Sequence, residues 1–323
     1  MRFFVRLFFI LAWLTPVKAQ SEVDEKERDR MARAKVKTQT QWTHDFVDGR
    51  PSAKGYRSQI ARFDTRGNTT EITNFNEAGD IISIVVYQYD NRDNRINFER
   101  HQGNRQKLQY SQRTVYDTRG NKTREFGFDG ATMYNNTFKY DGNGKLSEIN
   151  YTVDNAHVEK RMLTHTANRI EISIFDASNN LTFKQTNTYN ERGLLLSEVR
   201  SGNKGNMVHT LNLQYNNVND LTEETRLRAD NKLDYQKFFF YDSANRLIKE
   251  ESVTSDGTKF ISRECQYNSQ GDLAFESWKK TERAREFSTK KITYDARRLV
   301  TEEECYWATY KLRSLYKYTY EFY

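Results

Sequence analysis

The sequence predicts an all-β protein: an elongated antiparallel β-meander of hairpin repeats, twisted or curled into an open ribbon or partial shell. Three observations predict it. The stretch Tyr241-Asp242-Ser243-Ala244-Asn245-Arg246-Leu247 recurs around Tyr140-Asp141, Tyr215-Asn216 and Tyr267-Asn268, and Tyr189, Tyr215, Tyr241 and Tyr267 are spaced 26 residues apart. Between the copies lie second turn signals, Asp129-Gly130, Asp154-Asn155, Gly202-Asn203, Asp230-Asn231 and Asp256-Gly257, which read as two-residue hairpin turns needing positive φ. Beyond Pro51 no proline occurs, so no strand carries a residue unable to donate to the ladder.

Composition supports order over disorder. Only 36% of the 323 residues are hydrophobic and mean hydropathy is −0.93, yet 20 Tyr and 20 Phe accompany just 2 Pro, the reverse of a disordered chain. At the N-terminus Arg2 and Arg6 precede an apolar run, Leu7 to Leu14, followed by Pro16 and Val17-Lys18-Ala19. This reads as a secretory signal peptide over residues 1–19, cleaved before Gln20. Its removal takes Arg2, Arg6 and Lys18 and lowers the formal charge from +7 to +4. That excess speaks for solubility and against a nucleic-acid partner. The apolar run is too short for a stable transmembrane anchor, and no later stretch approaches one. The expected location is therefore the periplasm, cell surface or extracellular space.

Residues 20–35 form a charged leader, a short helix or a disordered segment, with helix preferred. From Val36 the period changes: Val36, Thr38, Thr40 and Trp42 alternate with polar residues as in a half-buried strand, and Val47-Asp48-Gly49-Arg50-Pro51 reads as a turn. The repeat domain spans residues 36–323. Its motif copies begin at Phe63, Phe75, Tyr89, Tyr116, Tyr140, Thr164, Phe175, Tyr189, Tyr215, Tyr241, Tyr267 and Tyr294, giving roughly 20 short strands.

Each motif position has a physical task. Asp141 or Asp242 starts a type I turn by accepting a backbone N–H two residues on. Three places later the chain turns left-handed, at Gly144, Asn245 and Gly271, residues that tolerate that conformation; Asp93 and Arg298 are the departures. The turn and its bulge bring Asp242 opposite Arg246 and Tyr241 opposite Leu247, an aromatic–aliphatic pair worth about 0.2–1 kcal/mol.

The recurring Tyr-Asp pattern, with Tyr140, Asp141, Tyr241, Asp242 and Tyr267 as its clearest positions, resembles the YD (tyrosine-aspartate) repeat of the RHS superfamily over roughly residues 60–300. In RHS proteins such repeats form β-sheet shells around a cargo, often a C-terminal toxin, and teneurin-like receptors carry related shells. The unit here is longer than the usual RHS unit and the Pro-rich end of an RHS core is missing, so the resemblance implies the repeat fold without implying encapsulation.

No residue set specifies chemistry. His44, His101, His157, His165 and His209 lack metal-ligand spacing, and no G-x-S-x-G, H-E-x-x-H or phosphate-binding glycine loop occurs. Glu302, Glu303 and Glu304, like Glu250 and Glu251, are consecutive strand residues and so face opposite sides, which disfavours a glycosidase pair. The repeat aspartates are accounted for by turns rather than by calcium. Cys265 and Cys305 fall on strands about three apart, hence about 14 Å, beyond the ~7 Å reach of a disulfide, so both are expected free. The alternating C-terminal run Tyr316 to Tyr323 resembles the closing strand of an outer-membrane barrel, but stretches such as Lys279 to Arg283 offer no outward apolar band, so it is expected to cap the sheet. The expected function is an exported, non-enzymatic scaffold or binding module for a glycan or protein partner, without metal or cofactor. The alternatives are an RHS-type shell or carrier and, behind it, a polysaccharide hydrolase.

Overall fold

The computed structural model describes residues 17–323, so most of the expected signal peptide lies outside the described residues. The described residues begin in helix α1 (Val17–Ala34) and are β thereafter. The helix stops where Lys35 turns left-handed at φ 55° and donates its N–H to the Ala32 carbonyl at 3.0 Å.

The first strands are β1 (Val36–Val47), the two-residue β2 (Arg50–Pro51), β3 (Tyr56–Phe63), β4 (Thr69–Phe75), β5 (Ile81–Tyr89), β6 (Arg95–Gln102), β7 (Lys107–Tyr116) and β8 (Lys122–Phe128). Next come β9 (Met133–Tyr140), β10 (Leu146–Val153), β11 (Ala156–His165), β12 (Arg169–Asp176), β13 (Leu181–Tyr189), β14 (Leu195–Gly202), β15 (Met207–Tyr215) and β16 (Leu221–Arg228). The wall ends with β17 (Leu233–Tyr241), β18 (Leu247–Thr254), β19 (Lys259–Tyr267), β20 (Leu273–Trp278), β21 (Ser288–Tyr294), β22 (Val300–Trp307) and β23 (Leu312–Phe322).

From β3 onward each strand pairs antiparallel with the next, and β1 pairs with both β3 and β23. Thr40 thereby faces Ile60 on one side and Thr319 on the other. All strands except β2 thus form a closed 22-stranded antiparallel barrel. This overturns the expected open ribbon or partial shell. The physical reason is at the two edges: an open meander would leave the N–H and C=O groups of β1 and β23 unpaired along one side, and closure pairs both rows. The C-terminal run accordingly closes the sheet instead of capping it. Tyr316, Tyr318 and Tyr320 pair with Thr43, Gln41 and Gln39, while Lys317, Thr319 and Glu321 take the alternate face.

Following cross-strand partners around the barrel separates the two faces. One face carries Gln112, Glu125, Ile149, Arg161, Leu163, Ile172, Gln185, Asn187, Glu198 and Cys305, all buried, and is the inner face. The other carries Trp42, Ile82, Val115, Met133, Met162 and Val199, each exposed, among many charged residues, and is the outer wall. The inner face is polar and internally paired. Gln112 donates to Glu125 at 3.0 Å, Gln185 to Glu198 at 2.9 Å, Arg161 to Glu159 at 2.6 Å, and Tyr318 to Glu303 at 3.1 Å. Two apolar patches interrupt it: Ile149, Leu163, Ile172 and Ile174 on β10–β12, and Met31, Val36, Ala61, Phe63 and Leu299 where α1 meets the barrel.

Cys265 and Cys305 lie three strands apart on one inner row, Cys265–Glu276–Lys290–Cys305, and are buried free thiols. Burial pushes both thiols up, Cys305 to about 11.

The turns at the two ends differ from expectation in one respect. Of the second turn signals, Asp154-Asn155 is a two-residue turn with both φ positive, joining Val153 to Ala156. The pairs at Gly202, Asp230 and Asp256 belong instead to loops of the motif's own kind, closed by Gly205, Asn231 and Gly257 and hydrogen-bonded from Gly202, Arg228 and Thr254. One residue of slack there permits the more tolerant type I turn with a bulge, which needs only one left-handed residue.

Candidate functional site

The hairpins alternate direction, so most motif copies gather at one end of the barrel, the turn rim, and the intervening loops at the other, the loop rim. Ten copies, from Phe63 to Tyr294, close turn-rim hairpins, whereas Phe75 and Phe175 precede loop-rim turns. Tyr140, Asp141 and Gly144 lie between β9 and β10, Tyr241, Asp242 and Asn245 between β17 and β18, and Tyr267 and Gly271 between β19 and β20.

The local chemistry of the turns is uniform in all copies but one. The Asp242 Oδ1 accepts the Ala244 and Arg246 N–H groups at 2.9 and 3.0 Å, and Asp141 accepts those of Asn143 and Lys145 at 2.9 and 2.8 Å. Asn245, Gly144 and Gly271 have φ of 58°, 76° and 83°. Asn168 is the exception: its loop is tied from the Thr166 N–H to the Arg169 carbonyl at 2.8 Å, a tighter turn without the left-handed step. The Arg246 side chain and backbone N–H groups hold the Asp242 carboxyl below the usual carboxylate range, and the Asn94 amide does so first for Asp90.

The motif tyrosine does more than pack. In five copies its hydroxyl donates to a backbone carbonyl of the preceding hairpin: Tyr140 to Lys122 at 2.8 Å, Tyr215 to Leu195 at 2.9 Å, Tyr241 to Leu221 at 2.8 Å, Tyr267 to Leu247 at 2.9 Å and Tyr294 to Leu273 at 2.9 Å. Tyr320 repeats the bond to Val300 at 2.7 Å. Turn arginines link neighbours on the outside, Arg92 to the Thr118 carbonyl at 3.1 Å and Arg192 to that of Asn217 at 3.0 Å.

Two recesses open between adjacent turns on this rim. One, about 360 Å³, lies between the turns at Asn190 and Asn216, beside Arg192 and Leu196. The other, about 630 Å³, lies between the turns at Asp90 and Asp117 and runs onto the outer wall. Its floor includes a cross-strand row from β5 to β8, Gln88–Asn97–Arg113–Phe126. Asn97 is only 8% exposed; its amide donates to Glu99 at 3.3 Å, and its Oδ1 has no partner among the described residues. A buried acceptor without a donor is costly, which sets Asn97 apart from the other residues of this row.

The pattern-breaking residues Arg298 and Asp93 both serve contacts around α1. Arg298, at φ 66°, places two guanidinium nitrogens on Asp272 at 2.9 and 2.6 Å, and Arg30 of α1 reaches the same carboxylate at 3.1 Å. Burial pushes the Asp272 carboxyl up, but the bonds and charges of Arg298 and Arg30 outweigh it and hold the group low. Asp93, at φ 62°, accepts from Asn68 at 2.8 Å and Arg66 at 2.7 Å, next to the turn on which α1 rests. These residues order the rim.

The remaining titratable candidates are also tied locally. Glu250 meets Lys237 and Glu251 meets Lys249 on opposite faces; Glu302 pairs with Lys317, and Glu303 with Tyr318. His165 contacts the Leu146 carbonyl, His209 contacts Glu198, and His44 contacts the Ser52 carbonyl. Among the described residues no three His, Cys, Asp or Glu side chains converge as metal ligands, and no helix is long and apolar enough to cross a membrane. The latter says nothing about crossing by strands.

The fold and rim define a class, a closed antiparallel barrel of repeated hairpins. No family model matches the chain, and no curated protein does. Among solved structures it is similar to a porin-like protein from Bacteroides uniformis, at 12% identity and TM-score 0.33, covering 89% of this chain and 97% of that one. A porin-like protein from Bacteroides vulgatus matches at 9% identity and TM-score 0.23, covering 88% and 98%. The complex TcdB2-TccC3-Cdc42 matches at 10% identity and TM-score 0.29 over 84% of this chain, which spans only 18% of that one. Scores this low decide neither fold nor function.

Proposed function

We propose that the chain is an exported, non-catalytic barrel scaffold of the cell envelope that binds a glycan or protein partner through the outer wall near its turn rim. The observation that carries this reading is the β5–β8 cleft, where amide, guanidinium and aromatic groups share one row and the Asn97 Oδ1 lacks a donor. Directional donors and acceptors beside a ring suit hydroxyl- or amide-bearing partners. Elsewhere the wall's charges are matched to one another, as in Arg62–Glu71, Lys139–Glu148 and Lys317–Glu302. Such a wall suits water: outward Lys or Arg at the middle of a bilayer costs about 2–4 kcal/mol each.

Barrel closure favours a second reading, the RHS-type carrier. Against it, Arg161, Gln185, Asn187 and Cys305 are buried on the inner face, so these positions offer a cargo no contact surface. A glycan array and a cross-linking pull-down with the processed chain test the proposal. The expected result is a specific glycan or protein whose binding falls at least about tenfold in Asn97→Leu and Arg113→Ala, the size of one lost charged or buried hydrogen bond. Binding indifferent to both variants, or none in either assay, would overturn it.

A further inference from the structure

The loop rim beside the β1–β23 closure gathers side chains that the proposed binding function does not use. Three loop-rim connections meet there: β1 to β3, β20 to β21 and β22 to β23. Tyr310 is 79% exposed, Val47 62% and Leu312 51%. Behind these tips Leu312 pairs with Trp307, whose ring meets that of Trp278 edge-on at 5.6 Å, and the Arg313 guanidinium lies 6.0 Å from the Phe46 ring and 5.6 Å from that of Tyr306. Scattered exposed apolar residues need no explanation; several on adjoining loops over an aromatic layer do. The same sector is basic, with Arg50, Lys280, Arg283, Arg285, Lys311 and Arg313. The acids among them are Asp45, Asp48, Glu282 and Glu286; Glu282 pairs with Arg283 at 3.2 Å, and Glu286 accepts the Tyr306 hydroxyl.

We propose that this sector docks the barrel, end-on and peripherally, to an anionic phospholipid surface. Apolar tips enter the headgroup–acyl boundary, aromatic rings sit at headgroup level, and the surplus cations meet the lipid charge. The outer wall, charged along its length, stays in water, so the attachment is reversible.

The three tryptophans of the described residues, Trp42, Trp278 and Trp307, lie on β1, β20 and β22, so their fluorescence reports on this sector. The test mixes the processed chain with vesicles of phosphatidylglycerol and phosphatidylcholine in equal parts, and with phosphatidylcholine alone, reading co-sedimentation and tryptophan emission. Expected are co-sedimentation and a blue shift with the anionic vesicles and binding at least about tenfold weaker on the neutral ones. The double variant Tyr310→Ser, Leu312→Ser should lose at least about tenfold while keeping its melting temperature, and Arg119→Ser, on the opposite rim, should bind unchanged. Three results overturn the proposal: no co-sedimentation with anionic vesicles, full binding by the double variant, or equal affinity for an oligothymidylate, which would mark a site for polyanions in general. A glycan bound at the β5–β8 cleft would stand through any of them.

Discussion

At the scale of single residues, the Tyr241 ring pairs with Leu247 inside its own hairpin while its hydroxyl reaches the Leu221 carbonyl of the hairpin before. The first contact is local and can be read from seven residues. The second spans twenty positions and explains a preference that pattern alone leaves open. Phe63, on the first turn-rim hairpin, has no earlier one to reach, and Phe75 and Phe175 sit at the other rim; from Tyr89 onward the turn-rim aromatic is Tyr in every copy but that of Thr164, where His165 meets the Leu146 carbonyl instead. Replacing Tyr241 by Phe should therefore cost about 0.5–1.5 kcal/mol, read from denaturant midpoints. It should also act on the alkaline limb. Burial pushes the Tyr241 hydroxyl up to about 12. The unfolded side chain titrates near 10, so the unfolded state gives up its proton first and this stabilisation, complete below about pH 10, fades as pH rises toward 12. A Tyr241→Phe chain should lose less stability over that window than the parent, and an identical decline would refute the linkage.

At the scale of elements, the hairpins are legible because their constraints are local. An Asp or Asn that accepts N–H groups within four residues and a Gly or Asn that turns left-handed leave few alternatives, and Asp93 and Arg298 adopt the left-handed turn as their places in the motif require. The docking of α1 is not legible this way. Its charged sequence gives no hint that Met31 is buried against Phe63 and Leu299, because only five apolar residues from three distant segments make that contact. Gly67 offers the sharpest test. It lies at φ 83°, and a Cβ there would overlap the Arg28 carbonyl of α1. Gly67→Ala should lift the helix and expose its backbone to protease and hydrogen exchange while far-UV β signal persists, at about 1–3 kcal/mol. The latch at Asp272 gives the complementary acid response. Its folded carboxyl is held low, so its contribution is present above the unfolded value near 3.9 and is lost as pH falls through the folded one. Asp272→Asn should flatten that limb of helix protection.

At the scale of the whole molecule, the missing datum was a pairing between the two ends of the domain. Val36 to Val47 and Leu312 to Phe322 both read as strands, but nothing in either says that the other is its neighbour, since alternation specifies a face and not a partner. The candidate site shares that limit: Gln88, Asn97, Arg113 and Phe126 are unremarkable in sequence and become a row only when four strands fall into register. Closure can be tested without a ligand. Thr40 and Thr319 are direct partners across the closure, on the face opposite the buried Cys265 and Cys305. In an antiparallel pair such residues have Cα atoms about 4.5–5.5 Å apart, within disulfide reach, whereas an open ribbon of this many strands would hold them roughly 100 Å apart. Mild oxidation of a Thr40→Cys, Thr319→Cys chain should form a monomeric cross-link, consume two thiols and raise the denaturation midpoint, because the bond closes nearly the entire chain into a loop in the unfolded state. Free thiols, or cross-links only between molecules, would return the sheet to an open ribbon.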